Sequence, residues 1–210
     1  MIGSTRILSV NPMSTYLKNC QHWVFDMDGT LTIAAHDFLY IRRMLEIPTQ
    51  ADILGHLATL PSTEAQQKHA WLLAHERQLA LNSQPAPGAI ELVQHLHQQG
   101  RQLAILTRNA KELALLTLKA IDLLDCFSDS LILGREQAIP KPHPDGLLKI
   151  AQYWQVAPQK MVMVGDFYMD LKTAHAAGTY AVQVNTAENL WPELTDFHAI
   201  DCRQLLRATA

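Results

Sequence analysis

His22-Trp23-Val24-Phe25-Asp26-Met27-Asp28-Gly29-Thr30 is the stretch that decides how this chain is read. Its first four residues have the bulk and branching of a short buried strand. The strand stops at two carboxylates, Asp26 and Asp28, and extended backbone points residues two apart to the same side. Gly29 follows; lacking a Cβ, it lets the backbone turn and present N–H groups to an anion. Two carboxylates beside exposed amides make a hard, oxygen-rich setting that suits a magnesium ion and a phosphate. An Asp-Gly pair after a strand is also a common turn, so the segment has to be weighed with the rest of the chain.

Downstream of residue 88 the sequence alternates. Ala89, Leu92, Val93 and Leu96 have helical spacing and Gly100 is a natural stop. A strand is predicted over 103–106, ending at Thr107, then a helix over 110–120 and a short strand over 130–133. Leu147, Ile150, Ala151 and Trp154 form another helical stripe. A strand over 161–164 runs into Gly165-Asp166, a helix over 168–177 stops at Gly178, and a last strand covers 180–184. This alternation predicts an α/β fold, a Rossmann-like parallel sheet flanked by helices. Ligands of such folds sit beyond the carboxyl ends of the strands.

Residues 33–84 have a different texture. They are rich in Leu, Ala, His and Gln, hold almost no strand-like run, and are broken by Pro48 and Pro61. Ser62 is the expected N-cap, with Glu64 in the first turn, of a helix running towards Leu81. The segment reads as a small all-helical insert after the first strand, and Pro85-Ala86-Pro87-Gly88 as the hinge back. The expected organisation is an N-terminal extension over 1–21, loosely structured, a core over 22–32 and 85–210, and the insert over 33–84. Met1 and Met13 are both possible starts.

Bulk properties narrow the function classes. The 210 residues carry a formal charge of −3 and are 48% hydrophobic, which gives no reason to expect nucleic acid or an anionic membrane as a partner. Cys20, Cys126 and Cys202 are far apart and form no CxxC, which argues against a disulfide framework or zinc site and for a reducing, cytoplasmic setting. The most apolar stretch, 113–124, contains Lys119 and Asp122 and is too short to span a bilayer. Ten histidines invite a metal reading, but His95 and His97 do not share a helix face, nor do His69 and His75. His36, His56, His69 and His75 are expected to be solvated, with one or two facing a substrate. Trp71 and Trp154 are expected in the core.

The remaining candidates stand at predicted element boundaries. The Thr107 hydroxyl and the Arg108 main-chain N–H can hold a phosphate oxygen, although a Thr at a strand end is commonplace. Lys141 lies between Pro140 and Pro142, which restrict the backbone and fix its direction; a surface lysine is the plainer reading. Asp166 and Asp170 have the spacing that brings two carboxylates to one side of a helix, or they are a cap followed by a solvated residue.

Taken in order, these residues give four motifs: DxDGT at 26–30, a strand ending in Thr at 103–107, Lys141-Pro142, and GDxxxD at 165–170. Over about residues 22–185 the chain resembles the haloacid dehalogenase superfamily, and most closely its phosphoglycolate phosphatase-like branch, whose helical cap occupies the position of the insert. The resemblance implies a phosphatase acting on a small phosphorylated metabolite through an aspartyl phosphate. It implies Asp26 as nucleophile, Asp28 as general acid and base, and Thr107, Arg108, Lys141 and Gly29 around the phosphate. It further implies Mg²⁺ on Asp26, the Asp28 carbonyl oxygen and Asp166, with Asp170 orienting Lys141 or a metal-bound water. Phe167 departs from the small Ser common after the GD pair, which bears on pocket shape.

Other chemistries of the superfamily fit less well. Dehalogenation gives no use to Asp28. A phosphonatase needs a lysine from the insert, where Lys68 stands alone and late. A phosphomutase is compatible with these residues. A catalytically silent phosphate-binding module would not be expected to keep both Asp26 and Asp166. Choice of substrate must come from the insert, whose early part offers His36, Tyr40, Arg42 and Arg43 to a carboxylate or hydroxyl. So small an insert favours small-molecule phosphate esters over phosphoproteins. Oligomeric state is not written in the sequence.

Overall fold

The computed structural model describes residues 12–210. Six strands form one all-parallel sheet in the order β3-β2-β1-β4-β5-β6: β1 (His22–Phe25), β2 (Gln102–Leu106), β3 (Ile132–Leu133), β4 (Met161–Gly165), β5 (Tyr180–Gln183) and β6 (Phe197–His198). The chain leaves β1 towards β2 and β3, then returns to lay β4 against β1's other edge. The crevice of such a sheet opens where the direction reverses. The register sharpens this: Phe25 lies opposite Ile105 on one side and Val164 on the other, so the residues after β1, β2 and β4 emerge side by side.

Alternation along the strands divides the core between two faces. Trp23, Phe25, Ile105, Val162 and Val164 pack with α1 (Pro12–Asn19), α5 (Ala89–Gln98), α6 (Lys111–Ala120) and α9 (Cys202–Thr209). Val24, Ala104, Leu106, Met161 and Met163 pack with α7 (Asp145–Trp154) and α8 (Tyr168–Ala177). The insert has a small core of its own, Ile41, Leu45, Ile47, Ile53, Leu57 and Leu72. These come from α2 (Phe38–Met44), α3 (Ile53–Leu57), α4 (Ser62–Leu81) and the turns between them. No helix among the described residues is long and apolar enough to cross a membrane.

The two crossings between core and insert are bonded to each other. Ile33 N donates to Gln84 O at 2.9 Å and Ala86 N to Leu31 O at 2.9 Å, with Thr32 bridging to Pro85 in antiparallel fashion.

Several expectations are corrected. Residues 1–11 of the expected loose extension lie outside the described residues, but 12–19 form a helix rather than a loose lead-in. Leu17 and Cys20 are buried in the core there, and the Trp23 indole donates to Cys20 O at 3.0 Å. α4 begins at Ser62 itself: Pro61 is the N-cap and no side chain caps the helix. Residues 129–131 make a 3₁₀ turn, so β3 is two residues long. β6 and α9 were not expected. β6 is too short to show a period, whereas α9 carried a usable start signal in Asp201, whose carboxylate accepts from Gln204 N at 2.8 Å. Trp71 is half-buried and stacks on His75 at 5.2 Å; Trp154 is likewise half-buried, packed against the second face.

Candidate active site

The site is built where β1, β2 and β4 end. Asp26 N donates to Val164 O at 2.9 Å, carrying the ladder one step past β1. The chain then curls. Met27 O accepts from the N–H groups of Thr30, Leu31 and Thr32, so the chain turns back directly after Asp28. Gly29 sits at φ +84°, and a Cβ there would run into the Asp166 carboxylate, so both conformation and space require glycine. Asn185, just past β5, clamps the curl by donating to Gly29 O at 2.7 Å and Thr30 O at 2.8 Å. Thr30 donates its hydroxyl to Asp166 Oδ1 at 2.9 Å.

Lys141 is buried and its Nζ lies 2.5 Å from both Asp26 Oδ1 and Asp170 Oδ1. Asp170 is fixed from its other oxygen, which accepts from Phe167 N at 3.1 Å across the first turn of α8. A Cβ on Gly165 would collide with Asp170, so that glycine is what allows the carboxylate in. Asp26, Asp166 and Asp170 each offer a carboxylate oxygen, all within 4.8 Å of one another.

Electrostatics follow from this crowding. Burial, reinforced by Asp166 and Asp28, pushes the Asp26 carboxyl up to about 6 in spite of Lys141. Burial and Asp170 push Asp166 up to about 6, and burial and Asp26 do the same to Asp170. Burial alone would lower the Lys141 ammonium, but Asp170 and Asp26 hold it well above the usual lysine range. Three carboxylates thus share one ammonium, an excess of negative charge that a divalent cation would relieve. An all-oxygen donor set of this kind fits Mg²⁺.

Asp28 lines the same cavity with a different partner set, so the expectation that both aspartates point one way holds only loosely. Its Oδ2 accepts from Asn109 Nδ2 at 2.6 Å, and His36 Nδ1 lies 3.9 Å from its Oδ1. Asn109 is a site residue that the sequence did not single out. Its main-chain N also donates to Thr107 Oγ1 at 3.1 Å. The Arg108 side chain turns away to the insert, where Asp52, the N-cap of α3, accepts from Nη2 at 2.5 Å.

Core and insert enclose a cavity of about 490 Å³ over this floor. Of the four insert residues expected to meet substrate, His36 and Arg42 line it and Tyr40 and Arg43 do not. The cause is helix phase: Phe38, Ile41 and Arg42 share the cavity face of α2. Tyr40 instead packs on Trp71 and His75 of α4, with the Arg43 guanidinium 5.6 Å over its ring. A partly buried pair went unpredicted: Glu76 of α4 accepts from Arg135 Nη1 at 3.2 and 3.4 Å. Burial raises the Glu76 carboxyl even so.

Comparisons with known proteins agree with this geometry. The family profile described as haloacid dehalogenase-like hydrolase matches residues 21–178. An uncharacterised hydrolase of Saccharomyces cerevisiae is 31% identical over 82% of this chain and 81% of its own. A phosphoglycolate phosphatase of Nitrosospira multiformis is 29% identical over 85% of this chain and 88% of its own. Among solved structures, a hydrolase from Pseudomonas syringae superposes with a TM-score of 0.72 at 22% identity, over 89% of this chain and 96% of that one. With a parallel sheet that reverses at β1, a helical cap between β1 and β2, and an aspartate cluster at the crevice, the chain belongs to the haloacid dehalogenase-like hydrolases, close to the phosphoglycolate phosphatase-like members.

Proposed function

We propose that this protein is a magnesium-dependent phosphatase that hydrolyses a small phosphorylated metabolite through an aspartyl phosphate. The observation that carries this reading is Lys141 held at 2.5 Å from Asp26 and Asp170 while Asp28 stands apart, hydrogen-bonded to Asn109. A nucleophile and an acid–base group need different surroundings, and here two aspartates of one loop have them.

Asp26 attacks phosphorus and the P–O bond to the leaving alcohol breaks, while Asp28 donates its proton to the departing oxygen. Asp28 then takes a proton from water, which attacks the aspartyl phosphate and frees Asp26. Lys141, Thr107 and the amides of Gly29 and Arg108 hold the phosphoryl oxygens, and Asp170 fixes the lysine. Magnesium, when bound by Asp26, Asp166 and the Asp28 carbonyl oxygen, supplies the positive charge that lets a carboxylate approach a phosphate dianion. Phosphoglycolate, for which several relatives are named, is the first compound to assay.

Beryllium fluoride with magnesium mimics a phosphorylated aspartate and tests the site without any substrate. At a hundredfold excess over Kd, binding adds about 2.7 kcal/mol, a rise in Tm of roughly 5–10 °C for a chain this size. The Asp166→Ala variant should lose the rise and bind magnesium at least about tenfold more weakly, since even indirect partners of a metal cost that much. An unmoved wild-type Tm would contradict the proposal.

A further inference from the structure

The phosphate machinery occupies only the floor of the cavity. Its upper wall is formed by Phe38, Ile41, Ile53, Leu54 and Leu72 of the insert and Phe167 of the core. A volume of about 490 Å³ is in the range of pockets that hold drug-sized ligands, far more than a two-carbon acid fills.

Two aromatic rings of this wall remain open to solvent, Phe38 at 55% exposure and Phe167 at 54%. Each is packed against a neighbouring ring. Phe38 stacks on His36 with ring centres 5.6 Å apart, and Phe167 meets Trp191 edge-on at 5.6 Å. Rings packed on one side and bare on the other, above a catalytic floor, are surfaces prepared for an apolar ligand.

The cations of the upper cavity point the same way. Arg108 is matched by Asp52 and Arg135 by Glu76. Arg42 directs Nε and Nη2 to Ala51 O and Nη1 to Phe38 O, each at 3.3 Å. Above the floor, a second anionic group on the substrate would meet the Glu76 carboxylate and would compete for guanidinium groups whose N–H donors are mostly engaged already, the buried Arg108 Nε excepted.

We infer that the preferred substrate is a phosphate monoester whose leaving alcohol carries a flat apolar ring, seated between Phe38 and Phe167, and not one that ends in a carboxylate. The inference rests on the phosphatase reading and narrows its substrate class.

The test compares benzyl phosphate, ethyl phosphate and phosphoglycolate by steady-state kinetics with magnesium. Benzyl and ethyl alcohols are leaving groups of similar basicity, so their ratio reports on the ring and not on bond-breaking. Benzyl phosphate should exceed each of the others at least about tenfold in kcat/KM, a modest value for apolar recognition. In Phe167→Ser the benzyl-to-ethyl ratio should fall by about tenfold, mainly through KM, and Phe167→Tyr should retain it. Phe167 is exposed, so neither variant threatens folding. A preference for phosphoglycolate, or a ratio indifferent to Phe167→Ser, would overturn the inference alone. Failure to release phosphate from any of the three esters would overturn the phosphatase reading with it.

Discussion

Asp26→Asn is expected to remove turnover almost completely, by several orders of magnitude, because loss of the nucleophile disables the whole unit. The substitution keeps the side chain's shape and removes only the charge that, in the proposed mechanism, attacks phosphorus. The fold should tolerate it. Asp26 is one of three carboxylates crowded within 4.8 Å, and all three are pushed up towards 6, so losing one charge relieves repulsion. Lys141 keeps Asp170 as its partner and is not left as an unpaired buried charge. Phosphate release from a saturating ester, together with Tm and circular dichroism, checks both halves. A folded variant with a tenth of wild-type activity would rule out an aspartyl phosphate.

The second large effect is expected at Asp28. General acid–base assistance is typically worth about 10²–10⁴-fold, and Asp28→Asn should cost that much for an alkyl ester. An asparagine can still meet Asn109, whose amide donates to the present carboxylate at 2.6 Å, so the loop should keep its geometry while losing proton transfer. p-Nitrophenyl phosphate, whose leaving group needs little protonation, should lose clearly less in the first step. Measuring kcat/KM for both esters on wild type and variant decides it. Equal losses for the two would remove Asp28 from the acid role.

Much of this was legible in the sequence because it is local. The runs 22–25 and 161–164 are short and apolar, an aspartate follows each within two positions, and β1 and β4 run over them almost to the residue. The α5 stripe of Ala89, Leu92, Val93 and Leu96 is likewise buried as its spacing indicates. What escaped depends on how distant segments meet. Glu76 and Arg135 are 59 positions apart and Arg108 and Asp52 are 56 apart; nothing near any of them announces its partner. Tyr40 and Arg43 were grouped with Arg42 because the phase of a seven-residue helix is set by what it packs on. Asp28 parts from Asp26 because three N–H groups converge on Met27 O, a curl that strand alternation does not foresee.

The paired crossing at Leu31–Ile33 and Gln84–Ala86 has a consequence for how such a chain can change. Because the two ends of the insert are hydrogen-bonded neighbours, the sheet meets the whole of 33–84 as though it were one tight hairpin. Loop-closure cost grows only slowly with length once the ends are joined. A replacement cassette of another size is therefore expected to be accepted at this junction without displacing β1 or α5, provided it covers the face of α6 on which α4 now packs. On the proposed reading, the aspartate–lysine floor stays with the sheet whatever cassette covers it, while the cassette and core residues such as Phe167 shape the space above together.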